Sequence, residues 1–221
     1  MSVLTQSQRH GFIFENIIRT MVFNLPEHMN DTNVHDIPCS DNPHDPTENV
    51  SIKTTGNDTI YCGDIMRFFQ YDFSKKNTII VVQYKQTDTH KVIRHIYQID
   101  YNASCHKHLF GNLTREVLKT YVESVKEIPK KVKGNDAKKI FSYLDAKKDI
   151  EKQHIFNIKI NPKVDSSQSR VQCSICNFTK TLGDFILTKS SVEMPSRIRG
   201  IDIPLSIESE KRKRNKNNKQ N

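Results

Sequence analysis

The chain has 221 residues, of which 35 % are hydrophobic, 8 % aromatic and 27 % charged, with only 7 Gly and no Trp; this suits one folded domain and excludes collagen-like, low-complexity and wholly disordered chains. No run approaches the roughly 18 consecutive apolar residues of a membrane span, and the N-terminus lacks a basic stretch followed by an apolar one, so a soluble chain with no membrane partner and no secretory signal is expected. Lys and Arg outnumber Asp and Glu by 34 to 25, a formal charge of +9 that favours a polyanionic partner.

Between residues 5 and 23 the apolar side chains Phe14, Ile17, Ile18 and Met21 recur at helical spacing and predict a helix stopped by Pro26. Residues 26–49 are rich in Asp, Asn, Pro and His and predict turns with one short strand. Residues 50–55 are β-branched with period two and run into the turn signal Gly56-Asn57-Asp58. Residues 64–73 suit a short helix packed on a sheet. The next run, 78–85, contains Ile79-Ile80-Val81-Val82, the pattern of a central strand covered on both faces. Residues 92–101 should pair beside it through a loop at 87–90. Segments 109–128 and 136–153 are helical by period, with Pro129 and Gly134 between them. Residues 154–160 alternate as a strand ending before Pro162, and the polar stretch 166–169 leads into another strand at 171–177. This order gives an α/β or α+β domain around a mixed sheet.

Five scattered cysteines (Cys39, Cys62, Cys105, Cys173, Cys176) argue against a disulfide framework and for a reducing, cytoplasmic compartment. Cys173 and Cys176 form a lone CxxC, whereas structural zinc takes four ligands; buried thiols without metal are the plainer reading, although Cys105, His106 and His108 could complete a set. There is no GxxxxGK[ST] phosphate loop and no Ser/His/Asp elbow.

The informative segment runs from Glu15 to Lys85. A strand bearing a lysine, with acidic residues upstream and downstream, is what metal-dependent phosphodiester hydrolysis needs. Carboxylates hold a hard divalent cation, and the ammonium orients or helps deprotonate the attacking water while shielding phosphate charge. Each residue also has a plainer role. Glu15 could pair with Arg19 on a solvated helix face, and Asp36, Asp41, Asp45 and Glu48 could be turn residues. Asp64 could be an N-cap, and Lys53 an exposed strand residue.

Over roughly residues 10–100 the chain resembles the PD-(D/E)XK nuclease superfamily, in particular type II restriction endonucleases. Glu15 in GFIFENIIRT matches the acid of the opening helix, and Asp36 in NVHDIPCS the acid that ends a strand. Ser51-Ile52-Lys53 matches the acid-x-Lys strand in the manner of a branch that carries Ser-x-Lys and takes the lost carboxylate from the following helix, here Asp64. The resemblance implies a restriction-endonuclease-like mixed β-sheet core flanked by helices. It also implies Mg2+ held by Glu15, Asp36 and Asp64, with Lys53 acting on water and Ser51 filling the vacated position. Double-stranded DNA would be cut at a short specific sequence, leaving a 5′-phosphate and a 3′-hydroxyl, by a homodimer matched to a palindromic site and accompanied by a protective DNA methyltransferase. A rival placement reads Gln83-Tyr84-Lys85 as the motif, with Asp64 as the preceding acid.

Basic residues concentrate late in the chain. Segment 130–180 holds twelve Lys and Arg against five acids, and 207–221 holds six against two. Residues 159–170, followed by Gln172, predict a DNA-recognition loop that offers Lys159, Lys163, Gln168, Arg170 and Gln172, with Lys85 on a neighbouring strand. Arg and Gln can read base edges while Lys positions the backbone; Arg197 and Arg199 could add phosphate contacts. The expected organisation is a nuclease core at 1–105, a helical and β DNA-recognition part of the same domain at 106–206, and a disordered basic tail at 207–221. The competing readings are a non-catalytic nucleic-acid-binding protein and a structure-specific repair or junction nuclease.

Overall fold

The apolar run at 79–82 lies in the middle of the larger sheet, and its alternate side chains enter two separate cores. The structure, a computed structural model, describes residues 6–27, 34–128, 137–164 and 169–209. Pro129, Gly134, Gln168 and the basic run from residue 210 lie outside them.

Helix α1 (Gln6–Ile17) continues into a π-helical turn (Ile18–Val22). Strand β1 (Glu48–Thr55), strand β2 (Thr59–Asp64) and the short helix α2 (Ile65–Phe69) follow, then the long strands β3 (Lys76–Gln86) and β4 (His90–Asp100). Helices α3 (Ala103–Phe110), α4 (Arg115–Lys126) and α5 (Ala137–Gln153) lead to β5 (Lys159–Val164) and β6 (Ser169–Cys176). A single helical turn, α6 (Phe178–Thr181), precedes the short strands β7 (Ile186–Lys189), β8 (Arg197–Ile198), β9 (Ile201–Asp202) and β10 (Ser206–Glu208).

The fold is mixed α/β. In the larger sheet β1 is parallel to β3, β3 is antiparallel to β4, and the far edge of β4 takes β10 at one end and β7 at the other. A smaller antiparallel sheet has the order β2-β6-β5. Ile79 and Val81 enter a core shared with this sheet and with α2, α3 and α4. Ile80 and Val82 enter a second core beneath α1 and the C-terminal residues Ile198, Ile203 and Ile207. Full burial of each such side chain contributes about 1.5–3 kcal/mol, which explains why this strand has no polar face.

Several elements depart from the expectations. The first helix buries Phe14, Ile18 and Val22, whereas Met21 is 46 % exposed; a π turn is wider than an α turn, so positions four apart stay on one side and the i+3 position rotates outward. The stretch 109–128 is not one helix, because α3 stops at Gly111, whose φ is +57°. A Cβ there would lie 1.7 Å from the Ile155 carbonyl oxygen. Gly111→Ala should therefore cost about 2 kcal/mol or more, read as a lower urea midpoint at unchanged m-value.

Strand β5 starts at Lys159, not at residue 154, and runs through Pro162. It is the edge of its sheet, where a missing backbone N–H is tolerated. Among the described residues between 34 and 47, before β1, the chain makes one bridge, Ile37 to Val50, instead of a strand. Ser206–Glu208 form β10 and Ile207 is buried, so the chain is still folded at the residue where the tail was expected to begin.

Candidate active site

Glu15, Asp36, Lys53 and Asp64 line one cleft of about 270 Å³, together with Phe12, His35, Cys62, Arg67 and Tyr71. The four come from a helix, a loop, a strand and a strand–helix junction, so only the tertiary fold joins them. Lys53 sits beside Val81 in the β1–β3 register and shares the face that carries Ser51. Asp36 is held next to it by its neighbours. Its Oδ2 accepts hydrogen bonds from the Ile52 backbone N–H and from Lys53 Nζ, the latter at 3.3 Å. Its backbone carbonyl accepts a hydrogen bond from the Arg19 guanidinium, which the π turn buries.

Asp64 reaches the cleft through a β-bulge. Between Tyr61 and Gly63 the β2–β6 register shifts by one residue, and Gly63 has φ +80°. Bulges of this kind bend a strand and re-aim the side chain that follows. Asp64 is also the N-cap of α2, with its Oδ1 accepting from the Arg67 N–H at 2.9 Å. The cap role and the place in the cleft are compatible, since a carboxylate has two oxygens.

Ser51, expected in the catalytic set, is 2 % exposed and is not among the cleft-lining residues. It lies beneath them, with its Oγ 3.0 Å from the Tyr71 hydroxyl and 3.5 Å from His35 Nδ1. The His35 ring meets Tyr71 edge-on at 4.5 Å. Burial lowers the His35 pKa, with Asp36 opposing and Lys53 reinforcing the shift, so this imidazole is neutral at neutral pH. Burial would also lower the Lys53 pKa, but Asp36 and the Tyr71 hydroxyl outweigh it and hold it above the ordinary lysine range. Lys53 is therefore a donor and a positive charge here.

Lys85 is exposed and absent from the cleft. It lies four residues beyond Val81 on β3, about 13 Å along the strand, so the cleft is built on Lys53 and not on the rival Gln83-Tyr84-Lys85 placement. The predicted recognition loop is mostly strand: Lys159 and Lys163 are on β5, and Arg170 and Gln172 on β6. Arg197 pairs with Asp202 at 2.8 Å and Arg199 with Glu48 at 2.8 Å, so both expected phosphate contacts are engaged within the protein. Cys173 faces the core and Cys176, three residues on along the same strand, faces the other side of the sheet. His106 turns a ring nitrogen to the Phe69 carbonyl at 3.0 Å.

Arg19, His35, Arg67 and Tyr71 were not singled out as site residues by sequence reasoning. Arg67 had a local signal, one helical turn after Asp64; Tyr71 and Arg19 had none, because their contacts span 20 and 17 residues.

No family model, no curated protein and no solved structure matches this chain. The cleft's three carboxylates, Glu15, Asp36 and Asp64, face two cations, Lys53 and Arg67, which leaves an excess of negative charge. Carboxylate oxygens are hard donors suited to Mg2+. Among the described residues no three His, Cys, Asp or Glu side chains form a ready-made cation cage.

Proposed function

We propose that the protein is a Mg2+-dependent endonuclease that hydrolyses phosphodiester bonds of double-stranded DNA at a short specific sequence, in the manner of the type II restriction enzymes its motif resembles. The observation that carries this reading is the convergence of Glu15, Asp36, Lys53 and Asp64 on one cleft, with Lys53 Nζ 3.3 Å from Asp36 Oδ2. Asp36 and Asp64, supported by Glu15, would hold the ion. When bound, Mg2+ supplies charge neutralisation at the phosphate and activation of water. Asp36 fixes the Lys53 ammonium, which donates to the attacking water or a non-bridging phosphate oxygen. Arg67 at the cleft rim adds a second positive charge for the phosphodiester. Ser51 and Tyr71 hold the floor on which Lys53 and His35 rest. Cutting both strands would call for two copies of the chain on a two-fold symmetric site.

The test is incubation of purified protein with long duplex DNA of known sequence, with Mg2+ or with EDTA. Discrete fragments with Mg2+ alone are expected. Salt-sensitive binding that survives EDTA, without cleavage, would favour a non-catalytic binder. Cleavage only at branched or damaged DNA would favour a repair or junction nuclease.

A further inference from the structure

We propose that the outer face of the β2-β6-β5 sheet is the surface on which the DNA duplex lies, with Gln172 and Asn161 reading base edges beside the phosphate to be cut. This rests on the nuclease reading for its cut position, but the surface itself is argued from the register.

Residues paired across an antiparallel sheet share a face. Asp64 pairs with Gln172 and Gln172 with Asn161, so these three form one row across the sheet, about 10 Å from first to last. The row on one side is Tyr61, Ser174 and Lys159; the row on the other holds Arg170 and Lys163. Without the bulge, Tyr61 and Asp64 would face opposite ways, being three residues apart. The extra residue puts both on the outer face, and so the cleft and this surface are continuous through Asp64.

The inner face is apolar, with Ile60, Ile160, Val171, Cys173 and Ile175 in the core. The outer face is exposed at its edges, with Tyr61 64 % exposed and Lys159 and Lys163 exposed, while Asn161 and Gln172 are half-buried and Ser174 between them is buried under the Asn161 amide. It carries three cations, and Asp64 is the only carboxylate on any of the three strands. An ordinary solvated sheet face mixes both signs. Here the single acid belongs to the cleft, and everything beyond it is positive, amide, hydroxyl, thiol or aromatic. Lys163 and Arg170 are directly opposite each other, which puts two positive charges side by side on this face.

The three strand axes span about 10 Å, so it is side chains rising from the face, and not the whole sheet, that would enter a major groove roughly 12 Å wide. Gln and Asn amides match the N6 and N7 edge of adenine. Asn161 Nδ2 donates to Ser174 Oγ at 2.8 Å and to the Lys159 carbonyl at 3.4 Å, which leaves its Oδ1 as the acceptor it offers to a base edge such as the adenine N6 amine.

The test uses the full chain in EDTA, where binding is read without cleavage. Anisotropy of a labelled random-sequence duplex is measured over a salt series for wild type, K159A/K163A/R170A, K159A/K163A and, as an exposed lysine lost from α4, K119A. The triple variant should bind about tenfold or more weakly, with a salt slope smaller by about 2 to 3. The double variant, which changes only exposed side chains, should lose part of this with unchanged thermal unfolding, and K119A should stay near wild type. Selection from a randomised duplex pool should return different or less defined sequences for Q172A than for wild type.

Wild-type affinity and slope in both multiple variants overturn the surface, and Q172A selecting the wild-type sequences overturns its reading role. If the variants behave as expected but wild type cuts nothing with Mg2+, the surface stands and the nuclease reading falls. If wild type cuts and the variants bind and cut equally well, the nuclease reading stands and the surface falls.

Discussion

Lys53→Ala is expected to lower the single-turnover rate of Mg2+-supported cleavage by about 10³-fold while duplex affinity changes by no more than a few fold. The large effect follows from where the charge sits. Lys53 Nζ is tied to Asp36 Oδ2 at 3.3 Å, and the side chain is only 23 % exposed, so the ammonium is fixed in a partly dehydrated cleft before substrate arrives. Removing one preorganised donor from such a site costs about 10²–10³-fold, and here a full charge goes with it. The small effect on affinity follows because one phosphate among many is concerned. Lys53→Arg should rescue poorly, since a planar guanidinium cannot replace a point charge in the same space. Asp36→Asn should match Lys53→Ala in rate, because Asp36 both anchors Lys53 and belongs to the proposed ion-binding set. Unchanged thermal unfolding of the variant separates lost chemistry from lost folding. Cleavage by Lys53→Ala at the wild-type rate would sink the nuclease reading.

The parts of this site that could be read in the sequence are those whose signal is local. Lys53 lies on a β-branched strand that ends at a Gly-Asn-Asp turn, and Asp64 stands directly before a short apolar helix; both features survive in β1 and α2. The apolar run of β3 announced a strand buried on both faces. What escaped depends on partners far away in the chain. Strand β2 has only six residues, with a Gly near its end and half-exposed positions, and it exists because β6, more than a hundred residues later, pairs with it. Its bulge decides which way Asp64 faces, and no periodicity reports that. The proline in β5 looked like a stop because its strand's edge position is a tertiary fact. The helical period across 109–128 hid the break at Gly111, which is enforced by the Ile155 backbone.

Glu48 appeared in the sequence as one acid among several turn residues, and the structure gives it the largest expected effect on stability. Glu48→Gln should destabilise the protein by about 3 kcal/mol at pH 7 and remove much of its acid sensitivity between pH 5 and pH 3. The carboxylate is 1 % exposed. Its Oε1 accepts from Thr78 Oγ1 at 2.6 Å and from Arg199 at 2.8 Å; its Oε2 accepts from Arg199 at 2.9 Å and from Asn42 at 3.1 Å, with Lys76 Nζ 3.3 Å away from Oε1. Arg199 itself has φ +50° and lies 5.0 Å from the Phe23 ring, so the group joins β1, β3, the end of the first helix and the C-terminal segment. Burial alone would push the Glu48 pKa up. The hydrogen bonds from Arg199 and Thr78, with the charges of Arg199 and Lys76, bring it down to about 2. A folded-state value below the ordinary 4.5 means stabilisation that is complete above that pH and lost as pH falls through 4.5 toward 2. At 1.36 kcal/mol per unit the gap corresponds to about 3 kcal/mol. Glutamine keeps the shape and one acceptor but has no charge to titrate. Arg199→Ala should cost at least as much at pH 7, because it leaves a buried carboxylate facing fewer donors, and it should weaken the acid sensitivity in the same direction. Urea denaturation at pH 7 and at pH 3.5 measures all three proteins. If the wild type and Glu48→Gln lose the same stability between those pH values, the acid sensitivity belongs to other carboxylates and the cluster is not what locks the C-terminal segment onto the sheet.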